Sequence, residues 1–226
     1  MGDAVGQMLP SAVGIAISPM PLIAVILMLA TPKGRSNGLA FAAGWIVSLA
    51  AVTAALVLLG SGADAAHGDG TPATWTSWLK LALGLVFAAL AVKQFTGRPR
   101  EGHPAQAPGW MKAIDQFTPA KSAGLAALLA VANPKNLVLV VGGAVAVAGS
   151  SAGNGGKAVA AVVMVLVASL CTVVPVGVFL FGGERAATTL GGWKTWMSEH
   201  NAAIMTVVLA VLGAKYIGDA ISALTT

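Results

Sequence analysis

Three long stretches of this chain carry no charge at all: Ala4 to Pro32, Ser36 to Ala63 and Ala158 to Gly183. Each exceeds the roughly 20 apolar residues that cross the hydrocarbon core of a bilayer as a helix. In lipid every backbone N–H and C=O must be satisfied within its own segment, so stretches of this kind become helices. Only 9% of the residues are charged and 57% are hydrophobic, against roughly a quarter charged in soluble domains. The chain therefore reads as an all-α integral membrane protein. Six spans are expected, at about 5–31, 37–60, 75–96, 122–149, 157–182 and 200–222. The first stretch lacks a basic leader and is too long for the apolar part of a signal peptide, so it is expected to stay as a span.

Two of the six runs are interrupted at matching places. The first reads Ile17-Ser18-Pro19-Met20-Pro21-Leu22 and the fourth Asn133-Pro134-Lys135-Asn136-Leu137. Pro19 and Pro134 lie 115 positions apart, so the break recurs once in each half. Proline removes a backbone donor and clashes with the preceding turn, and a paired interruption in two halves points to a transporter binding site. Three spans, a connection and three more spans imply two repeats of opposite topology, 1–96 and 122–226, joined by 97–121. Helices 1 and 4 are then broken or re-entrant. The connection begins as a Pro- and Gly-rich linker. It continues into Trp110-Met111-Lys112-Ala113-Ile114-Asp115-Gln116-Phe117, whose apolar spacing predicts a short amphipathic helix along the interface.

The net charge of +5 is a topology signal rather than a nucleic-acid one. Lys33, Arg35, Lys93, Arg98, Arg100, Lys112, Lys121, Arg185 and Lys194 fall on one side of the six-span order; Lys80 and Lys157 fall on the other. The positive-inside rule places the 97–121 connection in the cytoplasm and both termini outside. Lys215 and Asp219, in the last turns of the sixth span, are expected to snorkel to the headgroups.

Lys135 is the most unusual residue. It lies 13 positions past Ser122, about 20 Å along a straight helix, which is mid-membrane. A lysine there costs on the order of 2.5–3.5 kcal/mol unless it faces a polar cavity or a partner. If span 4 is bent instead, Lys135 lies near an interface. Asn133 and Asn136 flank Pro134; their amides either cap the backbone groups freed by the proline or bind polar ligand groups. Ser18 holds the corresponding place in span 1, with Pro19 and Pro21 as hinge or gate, and Pro175 is a second hinge position in span 5. Ala40, Gly44 and Ser48, and Gly84 with Ala88, form small-residue seams for close helix packing.

Other chemistries find no residues. Cys171 is the only cysteine, so no internal disulfide or dithiol relay forms, and its place is that of a small buried residue. No carboxylate lies well inside a span, which argues against an ordinary proton relay. His67, His103 and His200 lack ligand spacing, and no phosphate loop or nucleophile–base motif occurs. No metal, cofactor, nucleic acid or enzymatic activity is expected.

Pro19-Met20-Pro21-Leu22, Thr31-Pro32-Lys33-Gly34-Arg35-Ser36-Asn37-Gly38 through Gly44-Trp45, Pro108-Gly109-Trp110-Met111, Asp115, Pro119 and above all Asn133-Pro134-Lys135-Asn136-Leu137 resemble the peptidoglycolipid-addressing protein family. That family includes sulfolipid-addressing proteins and belongs to the lysine-exporter superfamily. The resemblance covers essentially the whole chain. It implies an actinobacterial plasma-membrane protein that assists export of large envelope lipids or glycolipids, beside a larger lipid exporter and lipid-synthesis enzymes. By position, Asn133, Pro134, Lys135 and Asn136 carry the family's central motif, and Trp110 and Asp115 its cytoplasmic-loop residues. Two other functions fit the same residues: a small-solute exporter for amino acids or cations, and a non-transporting scaffold for a larger exporter. The chain also has room to form a homo-oligomer, which its residues do not specify.

Overall fold

Proline marks two of the places where spans break. The computed structural model describes residues 2–67, 74–97 and 114–225. The runs without proline form single helices: α3 (Gly34–His67), α4 (Thr74–Thr96) and α9 (Ala186–Thr225). The runs with proline are each split into two. α1 (Gly2–Ala16) and α2 (Pro19–Leu29) meet at 46°. α5 (Pro119–Ala127), with a π-helical turn over Leu128–Ala132, meets α6 (Pro134–Ala148) at 65°. α7 (Asn154–Ala168) meets α8 (Leu170–Phe181) at 53°. Among the described residues, three helices are long and apolar enough to cross a membrane, and each bent pair meets that requirement as a unit, giving six crossings if every pair is one span.

The helix bounds differ from the expected ones where apolarity and helicity part. The sixth span was expected at 200–222, yet α9 starts at Ala186. Lys194 and Glu199 therefore lie on a helix rather than in a loop, because nothing between Ala186 and Thr225 breaks the helix. Of the expected amphipathic helix over 110–117, residues 110–113 lie outside the described residues. Its second half is a single 3₁₀ turn, Ile114–Gln116, with Ile114 buried and Asp115 exposed. Thr118 ends it by accepting the Lys121 N–H at 3.3 Å as the N-cap of α5.

The ends of the bundle can be read from its hydrogen bonds. Lys157 at the start of α7 bonds Ala148 O at the end of α6 and Ser61 Oγ near the end of α3 at 3.4 Å. Ser151 reaches Asp3 on α1 at 3.5 Å. These groups mark one end, called here the N-terminal end. At the other, linker end, Asn37 Nδ2 near the start of α3 donates to Phe117 O at 3.0 Å. Between them lies a core led by Trp45, Tyr216, Phe41 and Phe87. Phe41 and Trp45 stack, with centroids 6.5 Å apart. Tyr216 of α9 joins α1 through Ser11 Oγ (3.1 Å) and α4 through Phe87 (centroids 5.5 Å).

Close approach of backbones replaces side-chain bulk at the helix crossings. α4 and α9 form the most extensive helix pair. A Cβ on Gly84 would stand 2.9 Å from Ile217 N and 3.2 Å from Gly213 O. The small-residue seam expected at Gly84 is thus met by a glycine of α9, in keeping with packing driven by contact rather than by water exclusion. Gly84→Leu is expected to destabilise the protein by about 1–3 kcal/mol through overpacking, read as a lower midpoint of thermal unfolding in detergent. Gly62→Leu, where an added Cβ meets nothing within 4 Å, should leave that midpoint unchanged or raise it.

Candidate functional site

The two expected breaks share one backbone geometry. Ser18 (φ −70°, ψ 118°) and Asn133 (φ −73°, ψ 116°) both stand extended before a proline that opens the next helix, as a residue preceding proline must. They differ in how the freed groups are satisfied. Asn133 Oδ1 accepts the Lys135 N–H at 3.1 Å, the ordinary N-cap bond. Asn136 Nδ2 reaches back to Leu129 O at 2.9 Å, a carbonyl in the π-helical turn. The asparagines therefore hold the break together from both sides. At the first break Ser18 makes no cap bond, and Pro19 and Pro21 are buried with it. Among the described residues, Ser18 Oγ and Asn136 Oδ1 are each buried and without a hydrogen-bond partner, a state that buried polar atoms seldom keep without cause.

Lys135 lies beside the end of α4. Its side chain lines a pocket of about 390 Å³ with Pro134 and with Leu90, Lys93, Gln94 and Gly97. Those four belong to the last two turns of α4 and the residue after it. The mid-membrane position required a straight span 4, and the 65° bend at Asn133 removes that requirement. A helical side chain leans toward the N-terminus of its helix, so Lys135, at the start of α6, points back toward the linker end. Among the described residues, two ammonium groups and one amide thus line the recess and no carboxylate does. The charge comes from the side chains rather than from the helix end: Pro134 has no N–H, and the Lys135 N–H is already taken by Asn133.

Sequence reasoning missed Lys93 and Gln94 as members of this pocket; Lys93 read only as one of the charges that set the topology. The signal was the basic residue four places before Gly97, which no spacing could link to Lys135 across a separation of 42 positions. The other expected residues lie apart from it. Ser18 sits at the first break. Trp110 lies outside the described residues, and Asp115 is exposed on its 3₁₀ turn. Pro175 is buried inside α8, and the bend of span 5 falls six residues earlier, at Ser169. Hydroxyls build that bend: Ser169 Oγ donates to Val165 O at 2.7 Å and Thr172 Oγ1 to Ser169 O at 2.9 Å. Such back-bonding bends helices. Trp45 Nε1 of α3 reaches Ala168 O at 3.4 Å and so ties the bend to the neighbouring span.

A second recess, of about 260 Å³, opens between α2, α8 and α9 at the linker end, with Ile26, Leu29, Phe179 and Leu190 as apolar wall and Lys194 at its edge.

The family model described as Sap, sulfolipid-1-addressing protein, matches residues 8–222. The chain belongs to that family, as the motif around Asn133-Pro134-Lys135-Asn136 implied. No curated protein and no solved structure matches the chain.

Asn136→Ala removes the amide that reaches Leu129 O and should cost about 1–3 kcal/mol; Asn133→Ala should cost about 1 kcal/mol as a lost cap. Thermal unfolding in detergent checks both, and an Asn136→Ala protein as stable as the native one would refute the bracing role.

Proposed function

We propose that this protein takes part in exporting an anionic envelope lipid or glycolipid across the plasma membrane, with the Lys93–Lys135 pocket receiving the headgroup. The observation that carries this reading is the pairing of two lysines and Gln94 in one recess that has no carboxylate among the described residues. Each lysine near a membrane surface contributes on the order of 1 kcal/mol toward an anionic group. A sulfated lipid, as in the family's description, supplies such a group. The unpartnered Ser18 Oγ and Asn136 Oδ1 support the two breaks as places where polar groups are taken up in passage. The apolar recess between α2, α8 and α9 favours a lipid over a small solute, because a solute exporter needs a narrow polar cavity closed to lipid.

The positive-inside count puts the linker end in the cytoplasm, and with it both this pocket and the Lys194 recess. The halves 1–96 and 122–226 are read as inverted repeats of the lysine-exporter type. Helix contacts support that: α3 packs on α5 and α6 as α7 and α8 pack on α1 and α2, and α4 pairs with its counterpart α9. A larger exporter, lipid-synthesis enzymes and an actinobacterial envelope belong to the same reading.

Lys135→Ala and Lys93→Ala should each lower the amount of envelope lipid reaching the outer surface about fivefold, at unchanged membrane insertion. The measurement compares surface lipids of a deletion strain carrying each variant or the native gene. Full export by the Lys93→Ala, Lys135→Ala double variant would exclude the headgroup role. Lipid transfer in vesicles containing this protein alone separates a transporter from a scaffold.

A further inference from the structure

A second amphiphilic recess lies at the opposite end of the bundle. An apolar groove of about 370 Å³ runs between α1 and α9, from Gly6 past Pro10 to Ile17 on one wall and along Val207 and Val211 on the other. At Gly6 it meets a polar recess of about 380 Å³ lined by Gln7, Lys80, Lys215, Asp219 and Ala223. One row of α9 at four-residue spacing lines both in turn: Val207, Val211, Lys215, Asp219, Ala223. The two recesses are therefore one continuous surface that changes from apolar to charged along a single helix face.

Its dimensions and charges suit one kind of occupant. Ile17 lies eleven positions past Gly6, about 16 Å along a helix, close to half of a roughly 30 Å hydrocarbon core. The groove is thus one leaflet deep and stops at the break of span 1. Lys215 is engaged with Asp219 at 2.6 Å, while Lys80 has no carboxylate partner among the described residues. Lys80, Lys215 and Asp219 together leave the lining residues with one net positive charge where the groove opens, and Asp3 beyond them is bonded to the Gln7 amide at 2.7 Å. Lys80 stands at the opposite end of α4 from Lys93, 13 residues or about 20 Å away.

We propose that this surface is a second lipid site: one acyl chain lies in the α1–α9 groove and an anionic headgroup rests on Lys80 at the N-terminal end. It rests on the lipid-export reading for its role, as the place where cargo leaves or an acceptor lipid waits, but its occupancy is a binding property of the isolated protein. Gly6 is the junction, and an added Cβ there meets nothing within 4 Å, so a larger side chain blocks the passage without disturbing the fold.

The test is native mass spectrometry of the full chain in neutral detergent with added phosphatidylglycerol or phosphatidylcholine. The native protein should retain phosphatidylglycerol about fivefold better. Lys80→Ala should bring the two lipids level, Gly6→Leu should lower retention of both, and Lys33→Ala at the far end should change neither. Equal retention of the two lipids by the native protein, or unchanged phosphatidylglycerol retention in Lys80→Ala and Gly6→Leu, would overturn the site and identify the bound molecules as ordinary annular lipid. Export lost in Lys135→Ala with this retention intact leaves the site standing; retention lost with export intact removes the site and leaves the export reading.

Discussion

Everything distinctive in this fold follows from the need to satisfy backbone groups where a helix breaks inside an apolar environment. A continuous helix meets that need by itself, and the proline-free α3, α4 and α9 do so over their whole length. A break frees carbonyls and amides that water cannot reach, each costing several kcal/mol if left alone. The structure answers with a small set of side chains. Asn133 and Asn136 clasp the fourth span, and Ser169, Thr172 and the Trp45 indole clasp the fifth. The first span has no such clasp, only two prolines that carry no N–H to be satisfied.

That economy shapes the electrostatics. Helix N-termini in lipid usually serve as anion sites through their free amides and dipole. Here prolines and an asparagine cap use up most of those donors, so positive potential is delivered by lysine side chains instead. Lys135 leans from the start of α6 toward Lys93, while Lys80 occupies the other end of the same α4 helix. The bend of span 4 decides where that lysine goes, since it places Lys135 beside the end of α4 rather than on a straight continuation of α5.

How far the sequence could be read depended on whether the cause of a feature was local. The breaks at Ser18 and Asn133 were legible because proline acts on its own preceding residue. The bend at Ser169 was not, because a serine in a helix bends it only when its hydroxyl turns inward to a carbonyl, which Ser169 and Thr172 do and other serines need not. Pro175 drew attention to the right span at the wrong residue. The seam at Gly84 was visible as a pattern, whereas its partner Gly213 appears only when α4 and α9 are placed together. The length of the apolar run underestimated α9, since helices run on past the apolar stretch when nothing stops them.

By itself the sequence determined the class of fold, the number of apolar runs, two of the three broken spans and the presence of a lysine beside a break. Those rest on composition and on proline, which need no neighbour to act. Only the tertiary structure decided where that lysine points, that Lys93 and Gln94 share its recess, and that Gly6 joins an apolar groove to Lys80. These depend on bend angles and on which helices touch, and contacts between residues far apart in the chain leave no mark in the order of either segment.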